Sequence, residues 1–226
     1  MRVFLCAAAL AVGLSSQALA VFDLQITELF GGIEPGENLT DDWFEVTNFG
    51  TTTFDPNVHG DLYYDDESAD PNAADLISGV GSIAPGESVI FVDGGPIGQA
   101  LWESVWAPEA LPFPQIGNYE GSGISNDSED GAALFVDTGD DGPDPADLVD
   151  LELQPNPDGA PRHGRTFDVV AGQFSRGPNV LTTENNDVGI PQVGSPGYIP
   201  PAPLPEPSSL ALLRLGVSVL GTRRRK

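Results

Sequence analysis

The densest set of hard oxygen ligands in this chain is Asp137, Asp140, Asp141, Asp144 and Asp147, carried on the Gly/Pro-rich stretch DTGDDGPDPAD. Calcium takes six to eight oxygens from flexible loops of this kind, so these five carboxylates are the expected metal ligands. The spacing is not that of an EF-hand, since the third position is Gly139 and the twelfth is Leu148. A second acidic stretch, from Asp61 to Asp75, carries Asp65, Asp66, Glu67 and Asp70. The competing reading is that both stretches are solvated loops. Calcium is the one cofactor toward which the residues point, and no organic cofactor is expected.

Other chemistry has little to build on. His59 and His163 are the only histidines, and both sit in loop-like contexts, Asn57-Val58-His59-Gly60 and Arg162-His163-Gly164-Arg165. The sequence has no Gly-x-Ser-x-Gly elbow, no His-Glu-x-x-His and no phosphate-loop or dinucleotide fingerprint. The single cysteine, Cys6, lies in the leader described below, so the mature chain has neither disulfide nor thiol chemistry. No catalytic residue is expected.

The elements that would carry these loops are short strands. Asp23–Leu29 and Asp42–Asn48 alternate apolar and polar residues, and Ser88–Val92, Ala132–Val136 and Asp147–Leu153 are similar runs. Turn chemistry separates them at Asn48-Phe49-Gly50, Ala84-Pro85-Gly86-Glu87 and Asn126 to Gly131. In the second of these, Pro sets φ and Gly is free to take positive φ. Together, 27 Gly and 21 Pro residues suit many turns and few helices. One helix is expected over Pro96–Trp106, with Trp102 and Trp106 four apart on the face that docks. The pattern is that of an all-β protein, an antiparallel β-sandwich with one short inserted helix. Trp43 and Phe44 should lie on opposite faces of their strand, with Trp43 in the core or capping its edge and Glu45 in water, or the reverse. Arg176 should pair with a carboxylate near the closing strand.

Charge narrows the partners. Between Val21 and Ile199 there are 33 acidic residues and three arginines, a net charge of about −30. Such a surface repels phosphate backbones, so nucleic acid is excluded as a partner. The positive charge gathers at the end instead, where Arg223, Arg224, Arg225 and Lys226 close the chain.

Both ends read as addresses. Arg2, an apolar run from Val3 to Leu14, and Ala18-Leu19-Ala20 form a secretory signal peptide over residues 1–20, with cleavage at the small residues Ala18 and Ala20. At the other end, Leu210–Gly221 is only twelve largely apolar residues and is interrupted by Arg214. A bilayer span needs about 20 apolar residues, so this is a poor permanent anchor, although its Arg cluster would stay cytoplasmic. Residues 200–207, PPAPLPEP, form an extended polyproline-like spacer.

The tail resembles a PEP-CTERM sorting signal. The resemblance covers about residues 203–226 and rests on Pro205-Glu206-Pro207 and then, within residues 208–226, an apolar Gly-containing helix followed by Arg223, Arg224 and Arg225. It implies an exosortase-type peptidase as partner, transient membrane association, removal of the tail near Pro207, and release to the cell surface or exopolysaccharide matrix of a Gram-negative-type bacterium. Arg214 and the short helix depart from that pattern.

Residues 21–199 are one domain, and their motif order resembles a secreted bacterial lamin-tail domain. The motifs are Ile26-Thr27-Glu28-Leu29, Asp42 to Gly50, Gly60 to Asp66, Ile83 to Phe91, Ile124 to Asp127 with Asp130 to Phe135, Phe174-Ser175-Arg176, and Gly194 to Tyr198. The long acidic loop from Asp137 to Pro145 and the stretch Asn156–Gly172 depart from it. The resemblance implies an immunoglobulin-like sandwich without a catalytic constellation, used for binding or as an appendage to other domains; the partner expected for an exported chain is an exopolysaccharide or surface protein. It also leaves open a calcium-dependent adhesin, or an accessory module of an extracellular hydrolase system.

Overall fold

The computed structural model describes residues 21–32, 40–106, 114–125, 128–139, 142–155, 164–175, 181–182 and 192–197. The signal peptide, the spacer, the sorting tail, Asp140, Asp141, Arg162, His163 and Arg176 lie outside the described residues. Among the described residues no helix is long and apolar enough to cross a membrane.

The expected β-sandwich is present. In chain order the elements are β1 (Leu24–Phe30), β2 (Trp43–Asn48), α1 (Pro56–His59), β3 (Asp61–Asp65), β4 (Asp75–Leu76), β5 (Ser88–Val92), α2 (Gly95–Trp106), β6 (Gln115–Asn118), β7 (Asp130–Asp137), β8 (Leu148–Gln154), β9 (Phe167–Asp168), β10 (Gln173–Phe174), β11 (Leu181–Thr182) and β12 (Val193–Gly194). One sheet has the order β10-β9-β1-β2-β5-β6 and the other β4-β3-β7-β8, with β11 and β12 as a separate pair. The inner faces share a core that includes Leu24, Ile26, Phe44, Val46, Tyr64, Phe91, Leu134 and Phe167. Phe44 stacks on Tyr64 with centroids 5.2 Å apart, and Asp150 of β8 accepts from the Ile26 amide at 2.7 Å, closing the sandwich at one edge.

Two features depart from a purely antiparallel sandwich with one helix. A one-turn helix, α1, precedes β3, held by Asp55 as its N-cap. The pair β5–β6 is parallel, because α2 carries the chain back across the sheet between them. The Trp102–Trp106 stripe docks as the spacing predicts. Both rings are buried and meet Trp43 edge-on at 5.9 Å, over Phe30, Ile90, Val92 and Ile116. The β1–β2–β5 part of this sheet is therefore covered on both faces.

That second layer corrects the expectation for Glu45. Trp43 and Glu45, two apart, share the outer face and both are buried, while Phe44 faces the sandwich core. The outer face is apolar under α2 and polar at its other end, where Ser195–Gly197 lies over Glu45 and Glu28. At Gly86 the structure has φ of 76°, and Glu87 N donates to Ala84 O at 3.0 Å, as the Pro85-Gly86 turn requires.

Candidate functional site

The loop between β7 and β8 holds the expected calcium ligands. Asp137 is buried at the end of β7 and its Oδ1 accepts from Gly139 N at 2.6 Å. Asp144 Oδ1 accepts from Ala146 N, and Asp147 Oδ2 accepts from Asp144 N at 2.8 Å. These carboxylates close local turns, and among the described residues no three acidic, His or Cys side chains converge into a metal site. Asp140 and Asp141 lie outside those residues. In the second acidic loop, Asp65 accepts from Ser68 Oγ and Asp70 N, Asp66 from Ser68 N, and Asp70 from Asn72. His59 ends α1, where its Nδ1 accepts from Asp55 N at 2.9 Å and its ring lies 5.0 Å from Phe22 and 5.7 Å from Phe54. It closes a turn and packs against aromatic rings.

A crevice that the sequence reading did not anticipate lies where β5 and β6 end. Parallel strands joined through a helix leave such an opening at their C-terminal ends. Here Asp93-Gly94 leads into α2, and Tyr119-Glu120-Gly121 follows β6. A cavity of about 380 Å³ opens beside them, lined by Asp75, Leu76, Ser78, Pro96, Asn118, Tyr119 and Glu120. Asn118 is held in place because its Nδ2 donates to Gln99 Oε1 at 3.0 Å, and its backbone pairs with Ser78 in both directions. Leu76 and Pro96 add exposed apolar surface to a lining otherwise rich in acceptors, with Asn118 and Tyr119 as its buried members.

Glycines make room for this acidic end. A Cβ on Gly121 would stand 2.2 Å from Asp75 Oδ2, one on Gly123 2.3 Å from Asp42 Oδ2, and one on Gly95 2.6 Å from Glu120 Oε1. Burial and the neighbouring carboxylates raise the proton affinity of Asp42 and Asp75. Burial pushes Asp42 up to about 7, aided by Asp93, Asp41 and Asp130 and opposed by the 2.8 Å hydrogen bond from Ile124 N. Asp75 is raised by burial and then by Asp65, Asp93 and Glu120. Local signals for the crevice do exist in Asp93-Gly-Gly-Pro96 and Glu120-Gly-Ser-Gly123. They are ordinary turn sequences until the fold sets them side by side.

The second unanticipated cluster is buried. Glu28 and Glu45 face each other across the β1–β2 ladder. Glu28 Oε1 accepts from Thr166 Oγ1, from Ser195 N at 2.8 Å and from Ser195 Oγ at 3.1 Å. Glu45 Oε1 accepts from Thr27 Oγ1 at 2.6 Å and Ser88 Oγ at 3.3 Å, while Oε2 accepts from Gly197 N. Thr47 bridges Thr27 and Ser88, and Ser175 bonds Thr166 at 2.6 Å. Desolvation raises both acids, Glu28 to about 7 and Glu45 to about 8, and the pair titrates together. Glu28 Oε2 is buried with no hydrogen-bond partner among the described residues.

The comparisons with known proteins find no match, whether a family model, a curated protein or a solved structure.

Proposed function

We propose that this chain is an exported, non-enzymatic surface or extracellular-matrix protein, a lamin-tail-like binding module delivered through its PEP-CTERM signal. The observation that carries the binding role is the crevice beside β6. Asp75, Ser78, Asn118 and Glu120 offer acceptors and donors beside the exposed apolar surface of Leu76 and Pro96, the chemistry that engages a hydroxyl-rich polymer. An exopolysaccharide chain supplies such hydroxyls and apolar ring faces. An exosortase-type peptidase is the partner proposed for the tail.

Calorimetry of the host-exported protein against exopolysaccharide from the same cells tests this. Glu120→Gln and Ser78→Ala should each weaken binding by about five- to tenfold, since a lost hydrogen bond is worth about 1 kcal/mol. Equal affinity in both variants would remove the crevice from the proposal.

A second reading, the calcium-dependent adhesin, is favoured by one feature. Asp61 and Asp137 are directly opposite in the β3–β7 ladder, where like charges are destabilising and a cation would relieve them. Millimolar calcium should then raise the melting temperature, and a melting curve indifferent to it excludes this reading.

A further inference from the structure

The chain from Gln192 to Gly197 lies at the end of the described domain, just before the Pro-rich spacer. It is fastened at both ends and in the middle. Gln192 accepts from Thr40 Oγ1 at 3.2 Å, and Val193 exchanges backbone bonds with Thr166 and Gly164. Ser195 and Gly197 then place their amides on the carboxyls of Glu28 and Glu45. Among the described residues, the other groups that reach these two carboxyls are the hydroxyls of Thr27, Ser88, Thr166 and Ser175.

We propose that Gln192–Gly197 is a pH-sensitive strap, docked while Glu28 and Glu45 share at least one proton and released when both carboxyls ionise. Two carboxylates opposite each other in a dry cage repel strongly, and among the described residues Glu28 Oε2 has no donor to absorb its charge. The strap is the side of the cage that can move away and admit water, because its strand β12 belongs only to the two-residue pair with β11, whereas β1, β2 and β5 are locked in the six-stranded sheet.

The charges around the cage reinforce this. From β9, Asp168 adds negative charge beside Glu28. On α2, which covers the same face farther along, the acidic residue is Glu103, engaged by Gln99. β5 contributes Ser88 and the strap contributes Ser195 and Gly197, all uncharged. Arg165, next to Thr166, is exposed. Burial raises both acids and outweighs the hydrogen bonds from Ser195 and Gly197, which favour the ionised carboxylates, so the docked form is favoured below pH 7 and is lost as pH climbs through about 7 to 8. Release would add six residues to the spacer, lengthening the tether by about 20 Å.

Hydrogen exchange on the full exported chain, read by mass spectrometry, tests the strap. After correction for intrinsic exchange, peptides covering residues 192–197 should lose at least tenfold protection between pH 6 and pH 9. Those covering β2 and β5 should hold theirs, and the loss should reverse on return to pH 6. In the Glu28→Gln/Glu45→Gln double variant the strap's protection should no longer depend on pH. Unchanged strap protection in the wild type, or the same loss in a folded double variant, overturns the proposal. Should the double variant not fold, the wild-type titration decides alone: a simultaneous loss at all amides overturns it, and a reversible loss confined to the strap upholds it.

Discussion

Replacing Trp102 with Ala tests the second layer of the fold most directly. The indole is fully buried between α2 and the sheet, with its centroid 5.9 Å from Trp43 and 6.2 Å from Trp106. A Trp side chain of roughly 200 Å² at about 25 cal/mol per Å² corresponds to about 5 kcal/mol of burial. Partial collapse of the site would recover some of this, so the expected loss is about 3–5 kcal/mol. In a domain of this size that is about 6–20 °C in melting temperature. Ile97, one turn earlier on α2 and 82% exposed, is the control, and Ile97→Ala should change stability by less than about 0.5 kcal/mol. The assay is urea unfolding followed by tryptophan fluorescence, since all three tryptophans of the chain belong to this cluster. If Trp102→Ala falls within 1 kcal/mol of wild type while Ile97→Ala is neutral, α2 is not docked and the argument for a covered outer face fails.

Further expectations follow from the buried acids and the turns. Glu28, Glu45 and Asp42 all hold protons more tightly folded than unfolded, so their contribution is full below about pH 4 and is lost as pH rises through about 7 to 8. Melting temperature at fixed ionic strength should therefore fall from pH 5 to pH 8.5, and Glu28→Gln should flatten the curve; a rising curve contradicts the assignment. Gly86→Ala meets nothing within 4 Å, so its expected cost of about 1–2 kcal/mol is backbone strain at φ of 76° alone, measurable by denaturant unfolding. Gly121→Ala, whose Cβ would strike Asp75 Oδ2, should instead disturb the crevice and weaken polymer binding more than it lowers stability. Intact mass of protein from the native host should show a species ending near Pro207, and retention of Lys226 would argue for a plain anchor.

Local pattern made much of the architecture legible. The alternation over residues 23–29 and 42–48 places β1 and β2 to within a residue or two, and the four-residue spacing of Trp102 and Trp106 identifies the docking face of α2. Pro85-Gly86 specifies its turn for the same reason: the backbone preferences of those residues act over one or two bonds. The crevice was not legible, because its walls come from positions as far apart as Asp75 and Glu120.

The buried pair shows where local reading stops. Simple alternation from Leu24 and Ile26 would send Glu28 into the sandwich core. A register shift between Ile26 and Glu28 inserts Thr27 as an extra residue, which turns Glu28 to the outer face opposite Glu45. Leu29 then takes the inward position, and Phe30 joins Trp43 under α2. Sequence alone determined the longer strands β1, β2, β5, β7 and β8, the helix α2, the Pro85-Gly86 turn and the overwhelming negative charge, since each depends on residues close in the chain. Only the tertiary structure decided that two glutamates would meet in a dry cage under the last strap of the domain. That outcome required a bulge and a second layer, and neither is encoded in the period of a strand.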